Sequence, residues 1–173
     1  EYLKQAYTME GIRAFDVDFM SGVYEKPFEV VWMEENEIPE QKNASIRVGG
    51  YLDGCRIGFD AGGSDRKVSS VVNGEATYSE EVVWFPKLNS DPNYHYEGIL
   101  DAMKTAASKM PKVDAIGVST AGVVIGNRIM VSSLFLKVPL DEFDKRVKNI
   151  YLDIAKEIGD VPIEVANDGD VTA

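Results

Sequence analysis

The chain has 173 residues, 45% of them hydrophobic and 27% charged, which is enough apolar material for one real core and an ordinary charge content for a globular domain rather than a disordered one. Its 18 basic and 29 acidic residues give a formal net charge of -11, which argues against an unaided grip on nucleic acid or anionic lipid and means that a polyphosphate ligand needs Mg²⁺ to offset the field. The single cysteine, Cys55, excludes an internal disulfide and a cysteine-based metal cluster, and with no signal-like or membrane-length apolar segment in view the expected setting is a reducing cytoplasm.

Residues 1–54 read as an acidic N-terminal extension that packs on the main domain. They hold a short helical pattern around Tyr2 to Phe15, an apolar stretch from Phe28 to Met33, and the run Glu34, Glu35, Glu37 and Glu40 with Pro39. A helix-turn-helix reader of DNA is not expected here, for want of a second helix of adequate length and of positive charge. From Cys55 the pattern becomes regular. Strand-like runs cover Cys55 to Asp60, Val68 to Val72 and Ala76 to Phe85, with Asn73-Gly74 between the last two as a hairpin signal. After a loop from Pro86 to Asn93, the residues Ile99, Leu100, Met103, Ala106, Ala107 and Met110 recur at helical spacing and stop at Pro111. Ala115 to Ser119 reads as a buried strand, and Gly126-Asn127 separates two short strands in a second hairpin. A long helix is expected through Leu140, Phe143, Val147, Ile150, Ile154 and Ile158, capped by Gly159, before a last strand from Pro162 to Ala166. Meander, helix, strand, helix, strand is the order of an α/β domain with a mixed sheet and helices packed against it.

Three loops follow strand ends: Asp60 to Lys67, Ser119 to Gly122, and Asn167 to Asp170. In open α/β sheets ligands gather at the carboxyl ends of strands, so these loops can share one cleft. The first contains Asp60-Ala61-Gly62-Gly63-Ser64, a carboxylate at the end of an apolar run followed by glycines whose backbone can approach an anion closely; a plain tight turn is the competing reading. Asn167-Asp168, from local sequence alone, reads as a helix cap. Gly117 to Ala121 lacks the final glycine of a nucleophile elbow, no P-loop and no dinucleotide fingerprint is present, and His95 reads as a surface or helix-start residue. Trp32, Trp84, Phe85 and Tyr94 can stack on a ligand ring or fill a core, and their spacing does not distinguish the two.

Together with Ile116-Gly117-Val118-Ser119-Thr120-Ala121-Gly122 and Val165-Ala166-Asn167-Asp168, the glycine segment makes the stretch from about Cys55 to Ala173 resemble the N-terminal half of a sugar kinase of the ROK type, in the superfamily of actin, hexokinase and Hsp70. The resemblance implies a ribonuclease H-like, actin-like ATPase domain over 55–173 with a mixed five-stranded sheet flanked by helices, and phosphoryl transfer from ATP to a sugar hydroxyl. It implies Asp168 as general base, Asp60 holding Mg²⁺, the backbone of Gly62, Gly63 and Ser64 receiving phosphate oxygens, and Ala121, Gly122, Asn167 and Asp168 facing the sugar. The partners it implies are a small-molecule sugar and ATP, with no nucleic acid and no membrane; a homo-oligomer is compatible with it. Zinc and the adenosine-binding half belong, on this resemblance, beyond Ala173, so a fragment is expected. The sequence departs from the family pattern at Ser64 (usually threonine), Asp65 (lysine or asparagine), Ala121 (proline) and Gly169-Asp170 (alanine-asparagine). Asp65 repels a phosphate unless Arg66, Lys67 or a metal compensates, and Asp170 can crowd Asp168, bind a second cation or face solvent. The alternatives are a non-catalytic sugar-sensing regulator on the same scaffold and an ATPase of the same fold acting on a protein partner.

Overall fold

Alternation along Cys55–Ala61 (β1) decides which way the sheet faces: Cys55, Ile57, Phe59 and Ala61 are buried, and Arg56, Gly58 and Asp60 between them are only partly covered, as a strand with one face on a core requires. The computed structural model describes residues 1–41 and 49–172; the part of the extension from 42 to 48 and the terminal residue lie outside the described residues. The chain divides into two compact units, Glu1–Arg47 and Val48–Ala173.

In the larger unit β1 pairs antiparallel with Asp65–Val72 (β2), which pairs antiparallel with Glu75–Val83 (β3). The β2–β3 turn has positive φ at both Asn73 (49°) and Gly74 (84°), the geometry whose twist suits a two-residue hairpin. Pro92–Ala107 (α3) crosses over to Ala115–Thr120 (β4), parallel to β1, and Ile163–Asn167 (β7) lies parallel to β4. The strand order β3-β2-β1-β4-β7 is the mixed five-stranded sheet expected from the sequence. Ile99, Met103 and Ala106 of α3 and Ile150 and Ile154 of Ile150–Ile158 (α5) pack with Ile57, Phe59, Ile116, Val118 and Val165 from the sheet. The opposite face is lined by Gly58, Gly117, Ser119 and Ala166, and a Cβ added at Gly117 meets no heavy atom within 4 Å.

A small separate hairpin, Val123–Ile125 (β5) and Arg128–Val131 (β6), stands beside the β7 edge. Its turn residue Asn127 donates from Nδ2 to the Ile163 carbonyl (3.0 Å) and accepts from the Val165 N–H at Oδ1 (2.8 Å). One side-chain amide thus supplies β7 with the bonds a neighbouring strand residue would make.

Several elements differ from expectation. β2 starts at Asp65, so the first strand-end loop is a tight turn at 62–64 with Lys67 inside a strand. The long helix through Leu140 to Ile158 is interrupted: Leu140–Glu142 (α4) leads into a π turn at Phe143–Val147 before α5. The Lys148 N–H reaches back to the Phe143 carbonyl (2.9 Å), and the Lys148 carbonyl accepts the Ile129 N–H of β6 (2.9 Å), a tertiary bond that periodicity cannot reveal. In the smaller unit the helical pattern ends at Ala6 (α1, Tyr2–Ala6), and an eleven-residue helix Ala14–Tyr24 (α2) exists where no second helix of adequate length was expected. Its Ser21 hydroxyl bonds the Val17 carbonyl (2.6 Å) and accepts the Phe28 N–H (2.9 Å), so a residue that reads as a helix breaker is satisfied locally. The argument against a DNA-reading motif in this unit therefore rests on its sparse positive charge. Among the described residues no helix is long and apolar enough to cross a membrane.

Candidate active site

The carboxyl ends of β1, β4 and β7 lie side by side, since Asp60 pairs in register with Ser119, Ser119 with Ala166, and Thr120 with Asn167. Neighbouring strands lie ~4.8 Å apart, so about 10 Å separates the backbones of β1 and β7. All three strand-end segments singled out from the sequence therefore meet at one edge of the sheet.

The glycine turn is the β1–β2 connection, and packing demands its first glycine: a Cβ at Gly62 would come within 2.6 Å of the Asp65 carbonyl oxygen. Trp84, just past β3, ties the turn down. Its indole N–H donates to the Gly62 carbonyl (2.8 Å) and its backbone N–H to the Ser64 carbonyl (3.0 Å), which occupies two oxygens that would repel an anion. Trp84 is buried, so of its two readings it takes the core one, with a hand on the turn. Asp65 is compensated within the strand. Its carboxylate accepts from the Ser64 hydroxyl (3.0 Å) and pairs with the Lys67 ammonium (3.1 Å), which hold it below the usual aspartate range, Lys67 being the stronger influence. Lys67 in turn is held above its ordinary value by Asp65 first, then by Glu81 and Asp60. Arg66 alternates to the other face, where it lies over the Trp84 ring and 3.8 Å from Asp101. Of the two side chains expected to compensate Asp65, it is thus Lys67 that does so.

On the other side of the edge, Asn167 joins two turns. Its Nδ2 donates to the Gly122 carbonyl (2.7 Å), and its Oδ1 accepts the Gly169 N–H (2.8 Å) at the start of Asp168–Thr172 (α6). Asn167 is therefore the cap of α6 and also the clamp that holds Ala121-Gly122 against Asp168. Gly122 has φ +119°, and a Cβ there would fall 2.0 Å from the Val131 carbonyl oxygen, so only glycine fits. Asp168 is exposed on the first turn of α6, with Oδ1 accepting the Gly169 N–H (3.0 Å). Asp170 is exposed two residues on, and about 200° around a helix points it away from Asp168, which argues against crowding of that carboxylate. Beneath the edge, the buried Tyr151 hydroxyl donates to Thr120 Oγ1 (3.2 Å) at the end of β4, and burial pushes that phenol well above its ordinary value.

Asp60 is a hard oxygen donor on the uncovered face, next to Lys67 and Ser119 in register. Among the described residues no cluster of three or more histidine, cysteine, aspartate or glutamate side chains could hold a metal unaided. A single carboxylate suits Mg²⁺ that arrives on phosphate and keeps most of its waters. His95 lies in the first turn of α3, the helix-start one of its two readings, and is fully buried, with Nδ1 3.1 Å from the Asp91 carbonyl oxygen and Nε2 3.0 Å from that of Pro86. One residue escaped the sequence reading. Lys87 follows Pro86 and lies over the glycine turn, its Nζ 3.1 Å from where a Cβ on Gly63 would sit. Only the return of β3 beside β2 brings it there, so no local motif could announce it.

No family model and no curated protein matches the chain. Among solved structures it is similar to a ROK hexokinase from Thermus thermophilus, with TM-score 0.50 and 18% identity over 69% of this chain and 35% of that one. It is also similar to a glucokinase from Parabacteroides distasonis, with TM-score 0.51 and 16% identity over 71% of this chain and 33% of that one. A third likeness is to an inorganic polyphosphate/ATP-glucomannokinase from Arthrobacter sp. strain KM, with TM-score 0.50 and 20% identity over 68% and 46%. The fold is that of the ROK-type sugar kinases. The chain spans 33% to 46% of the length of these three sugar-kinase structures, and at such identities the likeness is one of backbone. On that sugar-kinase backbone the strand edge described above is this chain's own arrangement of residues.

Proposed function

We propose that residues 55–173 form the sugar-side lobe of a cytoplasmic, ATP-dependent sugar kinase. The observation that carries this reading is the meeting of the Gly62–Ser64 turn, the Ala121-Gly122 turn and the Asn167-Asp168 pair at one sheet edge, with Asn167 joining the last two and Trp84 tying down the first. In the proposed reaction the Asp168 carboxylate takes the proton of a sugar hydroxyl as that oxygen attacks the terminal phosphorus of ATP, and the bond to the bridging oxygen breaks. Asn167 fixes the two turns and offers its second amide hydrogen to the sugar. The sugar ring lies against Ala121-Gly122, whose one side chain is a methyl group. Phosphate oxygens are received by the backbone N–H groups of Gly62, Gly63 and Ser64. Mg²⁺ would be held through Asp60, with water completing its shell, and would supply neutralisation of charge on the phosphates that a chain of net charge -11 otherwise lacks. The adenosine is held by protein outside residues 55–173.

The test uses the full-length protein with Mg-ATP and a panel of sugars, with ADP release as the readout. Sugar-dependent turnover in the wild type, reduced about 10²–10⁴-fold in Asp168→Asn, is expected. Turnover that survives the substitution removes Asp168 as base. Tight sugar binding with no turnover on any sugar favours a sensor instead.

A further inference from the structure

The cations near the glycine turn are unequally engaged. Lys67 pairs with Asp65 and lies 4.0 Å from Glu81, and Arg66 is turned to the far face toward Asp101. Lys87 differs. It is exposed, it forms no ion pair among the described residues, and its ammonium stands over Gly63. Its placement is built rather than incidental. Phe85 donates its N–H to the Tyr94 hydroxyl (2.9 Å), and the Pro86 carbonyl meets His95 Nε2 (3.0 Å). The short 3₁₀ turn Pro86–Leu88 is closed by the Leu88 N–H on the Phe85 carbonyl (3.1 Å). Trp84, immediately before, bonds the glycine turn twice. Two aromatic side chains of α3 and one tryptophan thereby hold the segment bearing Lys87 against residues 62–64, and a lysine so anchored at its root still has a free, flexible head.

We infer that Lys87 is a phosphate-binding residue, which grips a linear polyphosphate chain seated on the Gly62–Ser64 turn. The inference rests on the kinase reading and names the cation that reading leaves unassigned. An excess of acidic residues makes a local ammonium valuable to a polyanion, and the flexible lysine head, which now covers Gly63, can swing aside to meet an anion on the exposed turn. The shared chemistry is a chain of phosphates, whether the tail of ATP or inorganic polyphosphate.

The test is calorimetric titration of the full-length protein with Mg-tripolyphosphate and, separately, Mg-ATP, for wild type, Lys87→Met, Lys87→Arg and Lys156→Met. Lys156 pairs with Asp153 on α5 and controls for the loss of one positive charge. Lys87→Met is expected to weaken binding about tenfold or more, Lys87→Arg only a few-fold, and Lys156→Met not at all. Loss with both ligands assigns the grip to the shared phosphate chain, and loss with one alone names the source. Equal binding by Lys87→Met and wild type, or equal loss in Lys156→Met, overturns the inference. Lys87-dependent phosphate binding in a full-length protein that never releases ADP with any sugar leaves the inference standing and removes the kinase reading. A wild type that binds neither ligand ends both.

Discussion

Gly122 and Gly117 lie five positions apart near the end of β4 and make opposite demands. Gly122 has φ +119° with its missing Cβ 2.0 Å from the Val131 carbonyl oxygen, whereas a Cβ at Gly117 meets nothing within 4 Å. Gly122→Ala should therefore lower stability by about 3 kcal/mol through backbone strain and collision, and Gly117→Ala should raise it by about 0.4–1 kcal/mol by restricting the unfolded chain. Urea unfolding of the two variants checks both signs. The sequence made the turn at Ala121-Gly122 legible, but not which glycine is obligatory, because the obstructing atoms come from β6. The same limit applies to His95 and Lys87: their partners are backbone groups and a glycine brought close by β3 and α3. Asp65 was legible as a problem and Lys67 as one of its solutions, since both lie within the motif itself. Asp168 could be placed at a strand end from its neighbours alone, and the structure adds that its companion Asn167 has bonds to both adjoining turns.

Between elements, α3 and α5 are joined on the surface by Glu157, which accepts from the Tyr96 hydroxyl (2.8 Å) and pairs with Lys104 (2.5 Å). Desolvation first, and the bond to Glu157 second, push the Tyr96 phenol up to about 12. A phenol raised above its unfolded value of about 10 keeps its proton in the native state where the unfolded chain has lost it, so stability is complete below pH ~10 and falls as pH rises toward ~12. Unfolding titrations across that window should show a shallower alkaline decline in Tyr96→Phe than in wild type; the buried Tyr151, shifted the same way, keeps the decline from vanishing. Strands and their hairpins were legible because period-two burial and Asn-Gly turns are local signals. The interrupted helix was not, because its break is fixed by the Ile129 bond to Lys148 from another element. In α2, Ser21 and Gly22 masked an apolar pattern that is weak to begin with.

For the molecule as a whole, order of elements was enough to foresee a mixed sheet with helices, since a meander followed by strands separated by helices leaves few topologies. Sheet order and the sharing of one edge by three motifs followed from that. The β5–β6 hairpin was expected, but its side-chain bonds to β7 come from a single amide, that of Asn127, which no pattern of hydrophobicity announces. Asn127→Ala should expose the Val165 N–H to exchange, measurable as lost protection at that amide, with a stability cost of about 1–3 kcal/mol. The larger consequence lies outside the single chain. β7 ends the sheet, and a strand edge stripped of its latch is a template for any other strand with groups to match. The Asn127 side chain is thus a guard against misassembly, and its removal should appear as concentration-dependent aggregation before it appears as loss of fold.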